Sequence, residues 1–324
     1  MTTIPVLDYA TFAGDTKQAF IEAWGAAARG PGFMVVTNHG IGASVIDAVF
    51  DRADAFFALS LDEKRKVSID LSPHNRGYAG TGSESLDEKS GQMDQKEAYN
   101  MGLDLAADDP RVLRGDPYRG PNMWPDVPGF ETALQTYFDA VTALGQNMHR
   151  AIALDLGLDE HFFTGHFDES MSTLRVLRYP PAVNASPGEI GAGAHTDYGS
   201  ITLLMTDGTP GLQVKPRDSE HWIDVPHVDN AFVVNIGDLL MRWTNDTYVS
   251  NPHRVQRPTK ERRSIAYFMD PNPDSLVEKL PTIEGEAHYR PILAHEYLTY
   301  RLTATYSQKH PGLEAAAEAV SVPA

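Results

Sequence analysis

Three polar side chains, His195, Asp197 and His253, constrain this chain more than any other feature in it. The first two lie in Gly193-Ala194-His195-Thr196-Asp197-Tyr198-Gly199-Ser200 and the third in Ser250-Asn251-Pro252-His253-Arg254-Val255, with strand-like runs and turns between them. Alternate residues of an extended strand share a face, so His195 and Asp197 point the same way. His253 reaches them only if a second strand is laid alongside, which a rolled-up sheet supplies. Two imidazoles and a carboxylate gathered in this way cover one face of a six-coordinate iron(II) and leave the opposite face open. An H-x-D tripeptide is common by chance, and a lone histidine is more often a satisfied surface or core residue than a ligand, so a second element has to agree.

That element is Arg262-Arg263-Ser264-Ile265-Ala266-Tyr267-Phe268. Strand alternation sets Arg262, Ser264, Ala266 and Phe268 on one face and Arg263, Ile265 and Tyr267 on the other. A guanidinium grips a carboxylate bidentately and a neighbouring hydroxyl adds a third hydrogen bond, so Arg262 with Ser264 forms a clamp for a dicarboxylate. Arg257, Lys260 and Arg263 read as a solvated basic turn. On Thr173 to Tyr179 the same alternation groups Arg175, Leu177 and Tyr179. If that face lines the interior, Tyr179 reaches the bound carboxylate and Arg175 reaches a polar substrate.

The remaining pattern predicts a mainly β chain with α elements: a double-stranded β-helix (jelly roll) core, N-terminal helical elements and a long bracing helix. Ile4 to Leu7 reads as an edge strand, Thr16 to Arg29 and Ala43 to Leu59 as core-facing helices, and Gly32 to Thr37 as β-rich. Ser60 and Glu63 have capping-box spacing. From Ser72 to Pro125 the periodicity fades into loop-rich sequence, where Asn75, Tyr78 and Tyr99 could wall a substrate pocket, although Tyr78 and Tyr99 taken singly are rather expected to pack on the barrel. Gly129 to Gly157 is the longest helical pattern. After Ser172 the character turns to strands, with runs at Thr202 to Thr206, Leu212 to Lys215, Trp222 to Val225, Phe232 to Ile236 and Leu239 to Trp243. Leu203 and Leu239 are expected in an apolar wall, and His149 is expected to be structural. We read one domain over 1–324: a helical and loop region over 1–125, the bracing helix, jelly roll and C-terminal helix over 126–310, and a flexible tail over 311–324.

Charge and composition narrow the partners. With 27 basic and 44 acidic residues the net charge is −17, which argues against nucleic acid and anionic membranes and leaves a small molecule as the partner. There is no cysteine, so disulfides, iron–sulfur clusters and thiolate ligands are excluded and any metal is held by N and O. The first residues carry no basic and apolar leader pattern, and no run approaches the roughly 20 apolar residues of a membrane span, so a cytoplasmic location is expected.

His195-x-Asp197, His253 and Arg262-x-Ser264, in this order and spacing, resemble the iron(II)/2-oxoglutarate oxygenases of the isopenicillin N synthase-like family. The likeness extends to Ile4-Pro5-Val6-Leu7-Asp8, to Gly32-Phe33-Met34-Val35-Val36-Thr37-Asn38-His39-Gly40, and to Leu174 through Pro181. Asn75-Arg76-Gly77-Tyr78, Lys96-Glu97-Ala98-Tyr99 and Trp243-Thr244-Asn245-Asp246-Thr247 are most similar to thymine hydroxylase-like members. The resemblance implies iron(II) on His195, Asp197 and His253, and 2-oxoglutarate on the metal with its distal carboxylate at Arg262, Ser264 and Tyr179. It also implies O2 as oxidant, and hydroxylation of a small molecule with release of succinate and CO2. Arg175, Tyr198, Phe268 and Asn75 are then expected near the substrate. Plant members often carry Asn where this chain has Leu177. The alternatives are an iron oxidase that works without 2-oxoglutarate, a ring-closing or ethylene-forming enzyme, a zinc hydrolase, and a barrel that only binds a small carboxylate.

Overall fold

Apolar residues at helical spacing and at strand spacing divide this chain between two layers. The structure, a computed structural model, describes residues 3–87, 93–182 and 189–305. Helix α1 (Lys17–Arg29) buries Phe20, Ile21, Trp24, Ala27 and Ala28, and α2 (Ala43–Phe57) buries Ile46, Val49, Ala53, Phe56 and Phe57. The short α3 (Leu61–Arg65) begins at Ser60, whose Oγ accepts from the Glu63 amide at 3.3 Å. After α4 (Pro110–Leu113) comes the bracing helix α5 (Phe130–Asp155), whose 26 residues show a single apolar stripe against the sheet. The last helices are α6 (Thr164–Phe167), α7 (Asp238–Trp243) and α8 (Ala294–Thr305).

The strands are β1 (Val6–Asp8), β2 (Phe33–Thr37), β3 (Gly77–Ala79), β4 (Glu97–Gly102), β5 (Thr173–Tyr179), β6 (Ile190–His195), β7 (Ile201–Thr206), β8 (Leu212–Val214), β9 (Ile223–Asp224), β10 (Phe232–Ile236), β11 (His253–Gln256), β12 (Arg262–Met269), β13 (Leu276–Val277) and β14 (Ile292–Leu293). Eight of them form a sheet in the order β1-β2-β10-β7-β12-β5-β4-β3, and β6-β11-β8-β9 form a second sheet. Between the two sheets lies an interior of Val35, Ala98, Leu177, Ala192, Val255 and their neighbours. The outer face of the larger sheet carries α1, α2 and α5 in one continuous apolar cluster. This is the jelly roll of the resemblance, with its ligands on the smaller sheet.

Three expectations need correction. The stretch 72–125 contains β3 and β4, and β4 extends the larger sheet by pairing along the length of β5. Its strands escaped detection because Tyr99, Asn100 and Met101 are buried together and show no polar alternation. Leu239 to Trp243 is helix, not strand. A short apolar run is ambiguous between the two, and the choice is made by partners: the amides of Asp238 and Leu239 donate to the carbonyls of Asp197 (2.8 Å) and Gly199 (3.0 Å). Leu203 lies outside the cavity, against the bracing helix, and its neighbour Leu204 takes the inward position. The tail over 311–324 lies outside the described residues.

Two consequences can be measured. A Cβ at Gly237 would meet the Gly199 carbonyl oxygen at 2.3 Å, so Gly237→Ala is expected to cost about 1–3 kcal/mol and to lower Tm in thermal unfolding. His149 is fully buried on α5, with Nδ1 donating to the Gly145 carbonyl (2.8 Å) and Nε2 accepting from Ser200 (2.7 Å). Burial holds its imidazole down to about 4. Below the unfolded value near 6.5 the unfolded chain takes up a proton that the folded chain refuses, so stability falls from pH 6.5 toward pH 4, by about 3 kcal/mol. In denaturant titrations across that range, His149→Gln should lose this part of the acid slope.

Candidate metal centre and substrate pocket

β6 ends at His195 and β11 begins at His253, and the two strands pair antiparallel with these residues directly opposite each other. The imidazole centroids are 4.3 Å apart. Asp197 Oδ1 lies 3.8 Å from His195 Nε2 and 3.6 Å from His253 Nε2. These separations suit three donors on one face of a single ion, and among the described residues this is the one such group of His, Asp or Glu. The neighbours aim each donor. His195 Nδ1 donates to the Gly193 carbonyl at 2.7 Å, which leaves the Nε2 lone pair for a metal. Asp197 Oδ2 accepts from Thr202 (2.6 Å) and Asn235 (2.7 Å), which leaves Oδ1 to face the imidazoles.

Electrostatics favour the ligating forms. Burial, with His253 alongside, holds the His195 imidazole down to about 3, so it is neutral. Burial pushes the Asp197 carboxyl up, but His253, His195 and the Thr202 and Asn235 donors outweigh it and the acid lies below its ordinary range. A buried carboxylate facing two imidazole nitrogens suits a cation, and an N2O donor set with an open face suits iron(II).

Arg262, Ser264, Ala266 and Phe268 face the cavity, as strand alternation predicts, and so do Arg175, Leu177 and Tyr179 on β5. Arg262 is 1% exposed; its Nε donates to the Thr209 carbonyl and its Nη1 to Ser264 Oγ at 3.4 Å. Among the described residues no carboxylate pairs with it. Tyr179 stands opposite Arg262 in the β5–β12 ladder, with its ring 5.0 Å from the guanidinium. Hence one end of the cavity offers a buried, uncompensated cation with a hydroxyl and a tyrosine beside it, which fits the distal carboxylate of 2-oxoglutarate.

At the other end, Asn75, Tyr198 and Phe268 line the wall as expected. Arg175 also lines it, but its guanidinium pairs with Glu84, so it is not simply a free cation offered to substrate. Tyr78 and Tyr99 pack in the outer core and are not in the wall.

Several contributors were not anticipated. Thr202 and Asn235 carry no local signature, since their role exists only once β7 and β10 flank the metal loop. Asp94, 1% exposed, accepts from the Gly193 amide at 2.9 Å and pairs with Lys96, which lies 3.3 Å from Glu84. Asp94 thus grips the residue whose carbonyl orients His195. On the far side, the buried Asp238 accepts from Thr196 (3.1 Å), Ser250 (2.7 Å) and Tyr297 (2.8 Å) and pairs with Arg301. It ties α8 to the metal loop, and Leu298 and Leu302 of α8 help close the cavity.

Residues 169–271 match the family described as 2OG-Fe(II) oxygenase superfamily, and residues 4–127 match the non-haem dioxygenase in morphine synthesis N-terminal family. The 2-oxoglutarate-Fe(II) type oxidoreductase hxnY of Emericella nidulans is 37% identical over 86% of this chain and 83% of its own length. The chain belongs to the 2OG-Fe(II) oxygenase superfamily. It is an oxidoreductase that uses iron(II), 2-oxoglutarate and O2. Another relative of this oxygenase, the 2-oxoglutarate-dependent dioxygenase caaD of Aspergillus niger, is 34% identical over 82% of this chain and 83% of its own. A Neurospora crassa protein solved in complex with alpha-ketoglutarate, that is 2-oxoglutarate, superposes with a TM-score of 0.82 at 35% identity, covering 93% of this chain and 96% of that one. The same protein has been solved with thymine also bound.

His195→Ala should abolish stoichiometric iron(II) binding by the oxygenase, and normal iron content in the variant would remove His195 from the ligand set. Asp94→Ala should leave the fold intact and weaken iron(II) about 10–100-fold, the usual cost of losing an outer partner of a ligand. Anaerobic iron titration checks both.

Proposed function

We propose that His195, Asp197 and His253 hold the iron, that Arg262, Ser264 and Tyr179 hold the distal carboxylate of 2-oxoglutarate, and that the enzyme hydroxylates a small flat organic molecule of the pyrimidine-base type. The observation that carries the reading is the cavity itself. It joins the triad to a buried, uncompensated Arg262 at one end and to Asn75, Arg175, Tyr198 and Phe268 at the other. The likeness to a protein solved with thymine supports the choice of substrate type.

The chain's own residues bind, orient and keep the site dry. When bound, the iron supplies oxidative decarboxylation of 2-oxoglutarate to succinate and CO2, coupled to hydroxylation of the substrate. Arg262 fixes the co-substrate by charge and geometry. Phe268 and Tyr198 offer aromatic surface to a flat ring. Leu204, Leu298 and Leu302 exclude water from the reacting carbon. The need for iron(II) and 2-oxoglutarate supports a cytosolic location.

The test is anaerobic addition of iron(II) and then 2-oxoglutarate, looking for the weak visible charge-transfer band of the chelate. O2-dependent succinate release with thymine follows. No band with iron bound would refute co-substrate use at this site, and a band without thymine-stimulated turnover would refute the substrate type. Truncating a buried charge partner costs ~2–5 kcal/mol, so Arg262→Ala should raise KM for 2-oxoglutarate by at least about thirtyfold. An unchanged KM would place the carboxylate elsewhere.

A further inference from the structure

β12 carries its inward residues at Arg262, Ser264, Ala266 and Phe268, and the same two-residue step continues past the strand's end to Asp270. Asp270 lines the cavity and is 3% exposed. Its backbone is pinned by Ser172, whose Oγ accepts from the Asp270 amide at 3.2 Å and bonds its carbonyl at 3.3 Å. Its carboxyl packs over Gly199, where a Cβ would stand 2.4 Å from Oδ1, so the absence of a side chain just after the metal motif makes room for it. Among the described residues no donor bonds this carboxyl and no cation pairs with it. The buried Arg76 acts on it by charge without bonding it: its guanidinium packs over Gly102 and donates to Thr173 Oγ1 at 3.4 Å.

A second acceptor lining the same cavity, on β4, is also without a partner. Asn100 is 1% exposed; its Nδ2 donates to the Asn75 carbonyl at 3.4 Å, and its Oδ1 is buried without a hydrogen bond. Burying such groups unpaired is costly, and native interiors pair nearly all of them. Whether ionised or protonated, Asp270 presents at least one acceptor oxygen.

We infer that Asp270 and Asn100 Oδ1 form an acceptor pole that recognises an N–H group of the substrate, and that the substrate is therefore a flat amide, imide or nitrogen heterocycle with an unsubstituted ring N–H. A hydroxyl would bring its own oxygen lone pairs to this pole, and these find a donor there only if Asp270 is protonated. An amide nitrogen has no such demand. The inference rests on the reading of this cavity as the substrate site, and it adds the chemical feature that the site selects.

The experiment loads the full-length protein anaerobically with iron(II) and 2-oxoglutarate and titrates matched N–H and N–CH3 compounds: thymine and uracil with their N-methylated forms, small lactams and indoles. Perturbation of the charge-transfer band is the readout. N–H members are expected to bind, and N-methylation should weaken them about tenfold or more, the size of one hydrogen bond to a charged or buried acceptor. Asp270→Leu keeps a side chain of similar bulk without an acceptor, so most of that difference should vanish. Asp270→Asn keeps one acceptor oxygen and should retain the preference. A residue that serves only to balance Arg76 would change stability and leave the N–H to N–CH3 ratio as it is. The inference is overturned if the band forms and no N–H compound perturbs it, if methylated partners bind as tightly in the wild type, or if Asp270→Leu keeps the full penalty. The wild-type panel decides even if that variant fails to fold. Absence of the band before any probe is added would instead overturn the cavity assignment beneath it.

Discussion

The antiparallel pairing of β6 with β11, which sets His253 directly across from His195, is the contact on which the rest of the site depends. Backbone hydrogen bonds decide this register, and a slip of one residue would turn one imidazole to the opposite face of the sheet. Elements on all sides then hold what the register creates. β7 and β10 supply the Thr202 and Asn235 donors to Asp197, Asp94 anchors Gly193, and α7 places its first amides on the carbonyls of Asp197 and Gly199. A side chain at Gly237 would collide with that last arrangement, so this close backbone approach serves the metal loop.

Charge in the interior is distributed with a clear division. Glu84, Asp94, Lys96 and Arg175 neutralise one another within the wall, and Asp238 is satisfied by Thr196, Ser250, Tyr297 and Arg301. These networks are internally paired and are structural supports of the pocket. Among the described residues Arg262 and Asp270 bond no oppositely charged group, and in the triad Asp197 Oδ1 faces the two imidazole Nε2 atoms at 3.6–3.8 Å. Unpaired polar groups that line the cavity are the ones a ligand can complete, because burial without a partner is costly. All of them line one cavity, with β12 contributing Arg262 and the strand's continuation contributing Asp270.

Much of this was legible beforehand because the jelly roll rests on short-period patterns. The triad, the Arg262 and Ser264 clamp and the inward face of Arg175, Leu177 and Tyr179 all follow from alternation along single strands. The bracing helix follows from its 3.6-residue stripe. Alternation failed at β4, where Tyr99, Asn100 and Met101 are all buried by layers on both sides. It failed again at Leu239 to Trp243, where an apolar run became a helix because the metal loop offered acceptors for its first amides. Asp270 was within reach of the same rule, two residues beyond Phe268, but it lies past the end of the apolar pattern.

By itself the sequence determined the triad, the shared inward face of Arg262 and Ser264 and the class of fold, because strand and helix periods dictate which side chains share a face. Tertiary structure alone decided which oxygen of Asp197 faces the imidazoles, that Arg175 is tied to Glu84, that α8 closes the cavity, and that Asp270 and Asn100 Oδ1 stand without donors. Each of these is a contact between residues far apart in the chain. No local period encodes which distant element will pack there, or which polar group it will leave unpaired.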